Sequence, residues 1–361
     1  MSGSVVVPNS APRHESLADI PERAAQLRTL LRAAQKPVVV THAKVDADAV
    51  GSTVAMVHLC RALGHPETIG VPGDGLLPGY LRFLDAGEVL VEPHSVDWQA
   101  ADLLIFVDCA DAARAGQAAD MALAARDAQT QVVNIDHHVT NTRFGDLDLV
   151  VPDASATCQI LERMFEALNV PIGAECATVM LAGIYGDTLG LKTPSSTPDA
   201  MRASAMLVES GADLDTIVDH LFRKKPYSSI KLWGEALQHV DWRGRLIWAY
   251  VDQDMLNRAG AEMSEAEGFV NFITGAIGAF AAALLYKEEK GWRVSLRSIR
   301  DDVNVSDLAK RYGGGGHPRA AGATLPPGDD VRDAFLNDIA AQLALLPELD
   351  EQLFTNSAQP V

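Results

Sequence analysis

Residues 37–63 read PVVVTHAKVDADAVGSTVAMVHLCRAL, and this stretch decides the fold. Its first six residues, PVVVTH, are apolar and rich in β-branched side chains, which suits a buried strand. From Ala49 the spacing becomes helical, with Val50, Val54, Val57 and Leu63 on one face and Gly64 as a stop. The same alternation extends outward. Strands are expected at 67–71, at 103–107 (LLIFV) and at 131–135 (QVVNI), separated by helical stretches at 76–85 and about 111–127. Strands alternating with helices specify an α/β fold, a mostly parallel sheet with helices on both faces.

Beyond residue 155 the pattern turns helical, with helices expected at 155–168, 173–185, 198–210 and 213–222. RKKPYSS at 223–229 reads as a linker. The second half begins with a helix near 228–239. Strands follow at 246–251, 279–286 and 292–299, the last two joined by EEKG as a hairpin-like turn. A helix at 305–311 runs into four glycines at 313–316, and a final helix spans 329–345. This half is expected to be a smaller mixed α/β domain across a cleft from the first. The division is a loose tail at 1–18, a first domain at 19–205, a helical linker at 206–229, a second domain at 230–345 and a tail at 346–361.

The chain has 361 residues, of which 48% are hydrophobic, enough for two cores. No apolar run reaches the roughly 20 residues that span a bilayer, so no membrane partner is expected. The N-terminus lacks a secretory signal pattern. Cys60, Cys109, Cys158 and Cys176 form no CxxC pair, which fits a reduced, cytoplasmic setting and buried small apolar roles. The formal net charge of −18 excludes a broadly basic nucleic-acid footprint and argues against tight binding of long duplexes. The apolar helices between the domains offer a surface for a second copy, making a homodimer a candidate assembly.

Three chemically related features sit at or just beyond strand ends: His42 with Asp46 and Asp48, then Asp108, then Asp136-His137-His138. Ligands of open parallel sheets bind outside the carboxyl ends of the strands, so these features can converge. Imidazoles mixed with carboxylates suit Mn2+, Fe2+ or Zn2+. Several carboxylates in one pocket repel one another unless cations neutralise them. Two divalent ions would do so and would suit phosphate ester hydrolysis, with Asp108, alone at its strand end, as the bridge. Each part also has an ordinary reading. A strand-end Asp often caps a helix, and a lone His is often structural.

The chain resembles the DHH phosphoesterase family in the order, spacing and flanks of these motifs. THAKVDADAVGS (41–52), VDCAD (107–111), NIDHHVTN (134–141) and GIYGDTLGLKTPSSTPDA (183–200) are similar to its four catalytic motifs. VSLRSI (294–299) and YGGGGHPRAAG (312–322) resemble its associated C-terminal domain. Within the family the resemblance is to the nanoRNase/pAp phosphatase group. It implies hydrolysis of short RNA or DNA oligonucleotides, linear dinucleotides such as pApA, and adenosine 3′,5′-bisphosphate (pAp). It also implies two divalent ions, usually Mn2+, which activate a water so that no protein nucleophile is needed.

By position in the motifs, His42, Asp46 and Asp108 would hold one metal, and Asp48, Asp108, His137 and Asp187 the other. His138 would face the scissile phosphate, and Asp136 would orient the histidine loop. Arg297, Gly314, Gly315, Gly316 and His317 would anchor a terminal phosphate, so that one domain cuts and the other measures. The fourth motif departs from the family pattern. Gly186 lacks a hydroxyl, Leu191 replaces an aromatic residue and Lys192 stands where Arg is common. A RecJ-like single-strand exonuclease, a pyrophosphatase or polyphosphatase, and a catalytically weak nucleotide sensor are the competing readings.

Overall fold

The computed structural model describes residues 15–347 apart from 76, 86 and 301, and not the side chain of His317. The expected tail segments 1–14 and 348–361 lie outside the described residues. The chain divides into two compact units at Lys224–Lys225.

The first unit is built on strands β1 (Pro37–Val40), β2 (Ile69–Val71), β3 (Leu103–Val107), β4 (Gln131–Asp136) and β5 (Leu147–Val150). They form one sheet in the order β2-β1-β3-β4-β5, parallel throughout. The helices are α1 (Ile20–Ala33), α2 (Ala47–Ala62), α3 (Gly116–Ala125), α4 (Thr157–Leu168), α5 (Ala174–Asp187), α6 (Pro198–Glu209) and α7 (Leu214–Val218). Both faces of the sheet are covered, and successive strand residues divide between them. Val39, Ile105, Val107 and Val133 enter the core beneath α1, α2, α4 and α5. Val38, Val40, Leu104 and Phe106 pack with Ala118, Ala119 and Ala122 of α3.

Several elements differ from expectation. The stretch 76–85 is a 3-10 helix at Gly79–Asp85 rather than an α-helix. It starts after Pro78, whose carbonyl accepts an i→i+3 bond from Leu81. The helix expected at 213–222 is α7 followed by a π-helical turn at Asp219–Arg223, closed by Lys224 N–H donating to Asp219 O. Helix α1 and strand β5 add to the expected set. Residues 15–18, expected as tail, are tied into the fold. Glu15 accepts from Val150 N–H at 2.8 Å and pairs with Arg23 and Arg143.

The second unit holds β6 (Asp241–Arg243), β7 (Leu246–Val251), β8 (Ala281–Glu288), β9 (Gly291–Arg297), β10 (Gly315–His317) and β11 (Ala320–Leu325). Its sheet order is β10-β11-β9-β8-β7-β6, antiparallel except between β7 and β8. Helices α8 (Tyr227–Leu237), α9 (Gln253–Ala259) and α10 (Phe269–Thr274) cover one face, and α11 (Val305–Lys310) and α12 (Asp329–Leu343) the other. This is the mixed domain expected from the sequence, with β8 and β9 as its hairpin.

Candidate active site

Three strands of the first unit, β1, β3 and β4, place site residues where their hydrogen-bond ladders end, and helices α2 and α5 add the others. His42 lies two residues past β1 and is buried. Asp46 is the N-cap of α2, accepting from Asp48 N–H and Ala49 N–H at 3.1 and 3.0 Å. The ordinary capping role is therefore real, but it uses one carboxylate oxygen, while the other lies 4.0 Å from His42 Nε2. Asp108 follows β3 directly, is 2% exposed, and has a left-handed backbone with φ 54°. Such a conformation is uncommon outside glycine and marks a position under constraint. Asp136 closes β4, and His137 and His138 follow it. Asp187 is the last residue of α5.

Asp108 faces both histidine groups with different oxygens. Its Oδ2 lies 3.4 Å from His42 Nε2, and its Oδ1 lies 3.6 Å from both His137 Nε2 and His138 Nδ1. His137 Nε2 also approaches Asp187 Oδ2 at 3.2 Å and Asp48 Oδ2 at 3.9 Å. Three sets of possible ligand atoms result, each within 4.8 Å: His42, Asp46 and Asp108; Asp48, His137 and Asp187; and Asp108, Asp136, His137 and His138. The first holds the three residues of one expected ligand group, and the second holds three of the four residues of the other, with Asp108 Oδ1 3.6 Å from His137 Nε2.

The donor chemistry fits a cation. His137 Nδ1 donates to Ala154 O at 3.3 Å, which turns Nε2 toward the carboxylates. That Nε2 is buried and has no hydrogen-bond partner. A buried imidazole nitrogen facing three carboxylates has the donor set of a metal ligand, with a proton standing where an ion would bind.

The electrostatics agree. Burial and the neighbouring Asp108 and Asp187 push Asp48 well above the usual carboxylate range. Burial opposes charge on His137, but Asp187, Asp108 and Asp48 outweigh it and hold the imidazole well above its ordinary value. Burial likewise opposes ionisation of Asp108, yet His42, His137 and His138 keep it below the usual range. Protons thus do in part what a divalent cation would do more completely. Asp187 adds to this demand, because it sits at the negative end of the α5 dipole.

His138 and Asp136 form a separate, well-defined pair. His138 Nδ1 donates to Asp136 Oδ1 at 2.7 Å, and Asn141 Nδ2 donates to Asp136 Oδ2 at 2.6 Å. Burial disfavours the Asp136 charge, but the His138 contact overrides it and keeps the carboxylate low. An ionised acceptor fixes the His138 proton on Nδ1 and holds the ring in one orientation.

The family model for the N-terminal domain of the DHH family matches residues 36–184, and that for the DHHA1 domain matches residues 244–345. The chain is 34% identical over 317 residues to the bifunctional oligoribonuclease and PAP phosphatase NrnA of Thermus thermophilus, covering 87% of this chain and 91% of that one. The chain belongs to the DHH family. It is accordingly a phosphoesterase, an enzyme of the hydrolase class. Another DHH relative, the bifunctional oligoribonuclease and PAP phosphatase NrnA of Bacillus subtilis, is 26% identical across 82% of this chain and 91% of its own. Among solved structures, an exopolyphosphatase-related protein from Bacteroides fragilis shares the fold, with a TM-score of 0.82 at 20% identity over 90% of this chain and 98% of its own.

Several residues of this DHH site were not singled out from the sequence. Thr157 N–H and Cys158 N–H, at the start of α4, donate to the two oxygens of Asp48 at 2.6 and 2.9 Å. Thr157 Oγ1 also donates to Asp108 Oδ1 at 3.1 Å. Asn141 lay inside the quoted NIDHHVTN motif, five residues after Asp136, and that spacing is the signal that could have marked it.

The departures in the fourth motif have local causes. A Cβ on Gly186 would lie 2.8 Å from Ala47 Cβ, so the α2–α5 approach leaves no room for a side chain there. Leu191 packs partly buried against the first unit's core. Lys192 lies over the Phe222 ring at 5.9 Å.

The second-unit residues are placed differently from a free anchor. Arg297 Nε donates to Asn271 Oδ1 at 3.0 Å and one of its Nη atoms to Leu296 O at 2.9 Å, so part of its fork is already used. The glycine run is only partly a loop. Gly315–His317 forms the edge strand β10, with Gly316 opposite Ala321. A Cβ on Gly314 or Gly316 would strike the backbone of β11, whereas Gly315 is open. Close strand approach thus explains Gly314 and Gly316. Arg300, three residues after Arg297, is buried, paired with Asp302 and stacked on Phe280 at 3.8 Å.

Proposed function

We propose that this DHH phosphoesterase hydrolyses short oligonucleotides, including pApA, to mononucleotides, and pAp to AMP, with two divalent ions, Mn2+ foremost. The observation that carries this reading is Asp108, whose two oxygens face His42 on one side and His137 on the other, with His137 Nε2 turned toward Asp48 and Asp187 as well. Near full-length similarity to two proteins named as oligoribonuclease and PAP phosphatase supports the substrate class.

In this reading His42, Asp46 and Asp108 hold one ion, and Asp48, Asp108, His137 and Asp187 the other. The bound ions would polarise the phosphate and activate water. Asp136 holds His138 through Nδ1 and supports the doubly protonated ring, whose Nε2–H donates to the charge developing on the phosphate. Arg297, the backbone of Gly314, Gly315 and Gly316, and His317 receive the terminal phosphate. The charge of −18 supports a small substrate, since long strands demand an extended basic track. The buried, unpaired cysteines suit a cytoplasmic setting.

The test is a panel of pAp, pApA and pyrophosphate, each with Mn2+ and with Mg2+. Turnover of pAp and pApA with Mn2+, and none of pyrophosphate, is expected. Preferential release of phosphate from pyrophosphate would replace this reading with the pyrophosphatase one.

A further inference from the structure

Two exposed cations of the first unit, Arg114 and Lys44, belong to the segments that carry Asp108 and His42. Arg114 ends the segment that begins at Asp108, in the 3-10 turn Ala112–Ala115 capped by Asp111. Its carbonyl accepts a 2.8 Å bond from Ala43 N–H, which fixes this turn against the residue next to His42. Gly73 and Gly116 pack the same two segments so closely that a Cβ on either would collide with its neighbours. Arg114 is exposed, and its charge acts on His42 and Cys109. Lys44, between His42 and Asp46, is exposed as well. Among the described residues neither has a carboxylate partner within ion-pair distance. Arg126, Arg202 and Arg223, by contrast, are each held by an aspartate, Asp146, Asp199 and Asp219.

We propose that Arg114, assisted by Lys44, receives a substrate phosphate at the mouth of the active site. This rests on the phosphoesterase reading above and extends it to a contact made within the catalytic unit. Two physical points favour it. The site beside it carries five aspartates, so an anionic substrate needs a local cation besides any metal. A guanidinium also offers a planar fork to phosphate without losing its charge at any working pH. Its exposure assigns it to binding rather than to the bond-breaking step.

The test uses the full chain loaded with Mn2+ and titrated calorimetrically with inorganic phosphate. Arg114→Gln should weaken phosphate binding roughly tenfold, as expected for a charge-assisted hydrogen bond, and Arg114→Lys should recover part of the loss. Adding Lys44→Gln should weaken binding further. Arg202→Gln removes the same charge elsewhere and should leave binding unchanged. With pAp, Arg114→Gln should raise KM by a similar factor and keep kcat within about threefold. Wild-type binding of phosphate by a folded, Mn2+-loaded Arg114→Gln variant would overturn the proposal. So would an equal loss in Arg202→Gln, or the absence of phosphate binding by the parent protein. Should Arg114→Gln fail to fold, Arg114→Lys and Lys44→Gln alone carry the same comparison. A parent protein that binds phosphate but hydrolyses neither pAp nor pApA would sink the proposed substrates while leaving this contact standing.

Discussion

At the scale of single residues, the pair Asp136–His138 separates orientation from metal binding. Asp136→Asn keeps the size of the side chain but removes the charge that fixes the His138 proton on Nδ1. Turnover of pAp should fall about 100-fold, the upper range for loss of such a supporting contact, with bound Mn2+ unchanged. Kinetics and metal analysis on the same sample check this, and loss of Mn2+ in parallel with turnover would contradict it. His137 and Asp48 give a second test. In the metal-free protein both hold protons more tightly than in the unfolded chain, His137 because its carboxylate neighbours outweigh burial, Asp48 because burial and like charges raise it. For a raised group the folded state binds the extra proton, so the stability it confers is present at low pH and is lost as pH rises through the folded value. Mn2+ replaces those protons, so its stabilising effect should grow with pH. Melting temperatures from about pH 6 to about pH 9 should fall in EDTA and diverge upward in Mn2+. An Mn2+ increment that does not change with pH would refute the proton exchange. The sequence pointed to the aspartates and histidines because strand ends place them together. It did not reveal the bonds from Thr157 and Cys158 to Asp48, which join residues more than one hundred positions apart.

At the scale of elements, the contact between α2 and α5 sets the geometry of Asp48. Gly51, Gly183 and Gly186 all lie where these helices approach, and a Cβ on Gly183 would sit 2.7 Å from Asp48 Oδ1 and against Cys158 Sγ. Gly183→Ala should therefore cost about 1–3 kcal/mol by overpacking, despite the better helix propensity of alanine. It should also weaken Mn2+ binding by displacing Asp48. Gly234→Ala in α8, where no atom lies within 4 Å of the added Cβ, should instead stabilise by up to about 1 kcal/mol. Urea midpoints with an Mn2+ titration compare the two, and equal effects would remove the packing explanation. The central strands were legible because a parallel sheet covered on both faces demands continuous apolar runs such as LLIFV. Two of the edge strands were not. Strand β5 (LDLV) carries an acid, and β10 contains two glycines, so their extended form comes from pairing with β4 and β11 rather than from local propensity. Helix α1 is a different case, since its Ile20, Ala24, Leu27 and Leu31 stripe is helical in the sequence itself.

At the scale of the whole molecule, charge and substrate length are linked. A protein of net charge −18 gains little from sliding along a polyanion, and its favourable contacts with nucleic acid are confined to the few groups that meet phosphate. Rates should therefore fall with oligonucleotide length, because each added nucleotide brings charge without a matching contact. The ionic strength dependence should be shallow for the same reason. With two or three phosphates engaged, the slope of log kcat/KM against log salt should be about −1.4 to −2.1, on the single-strand scale of roughly −0.7 per phosphate. Measuring kcat/KM for a dinucleotide and for longer single strands across a salt series tests both statements at once. A rate that rises with length, together with a slope that steepens in proportion, would require an extended binding track and would favour a processive exonuclease. A shallow slope at every length, with the dinucleotide fastest, is the outcome expected of an enzyme whose cations act only on the phosphates at its active site.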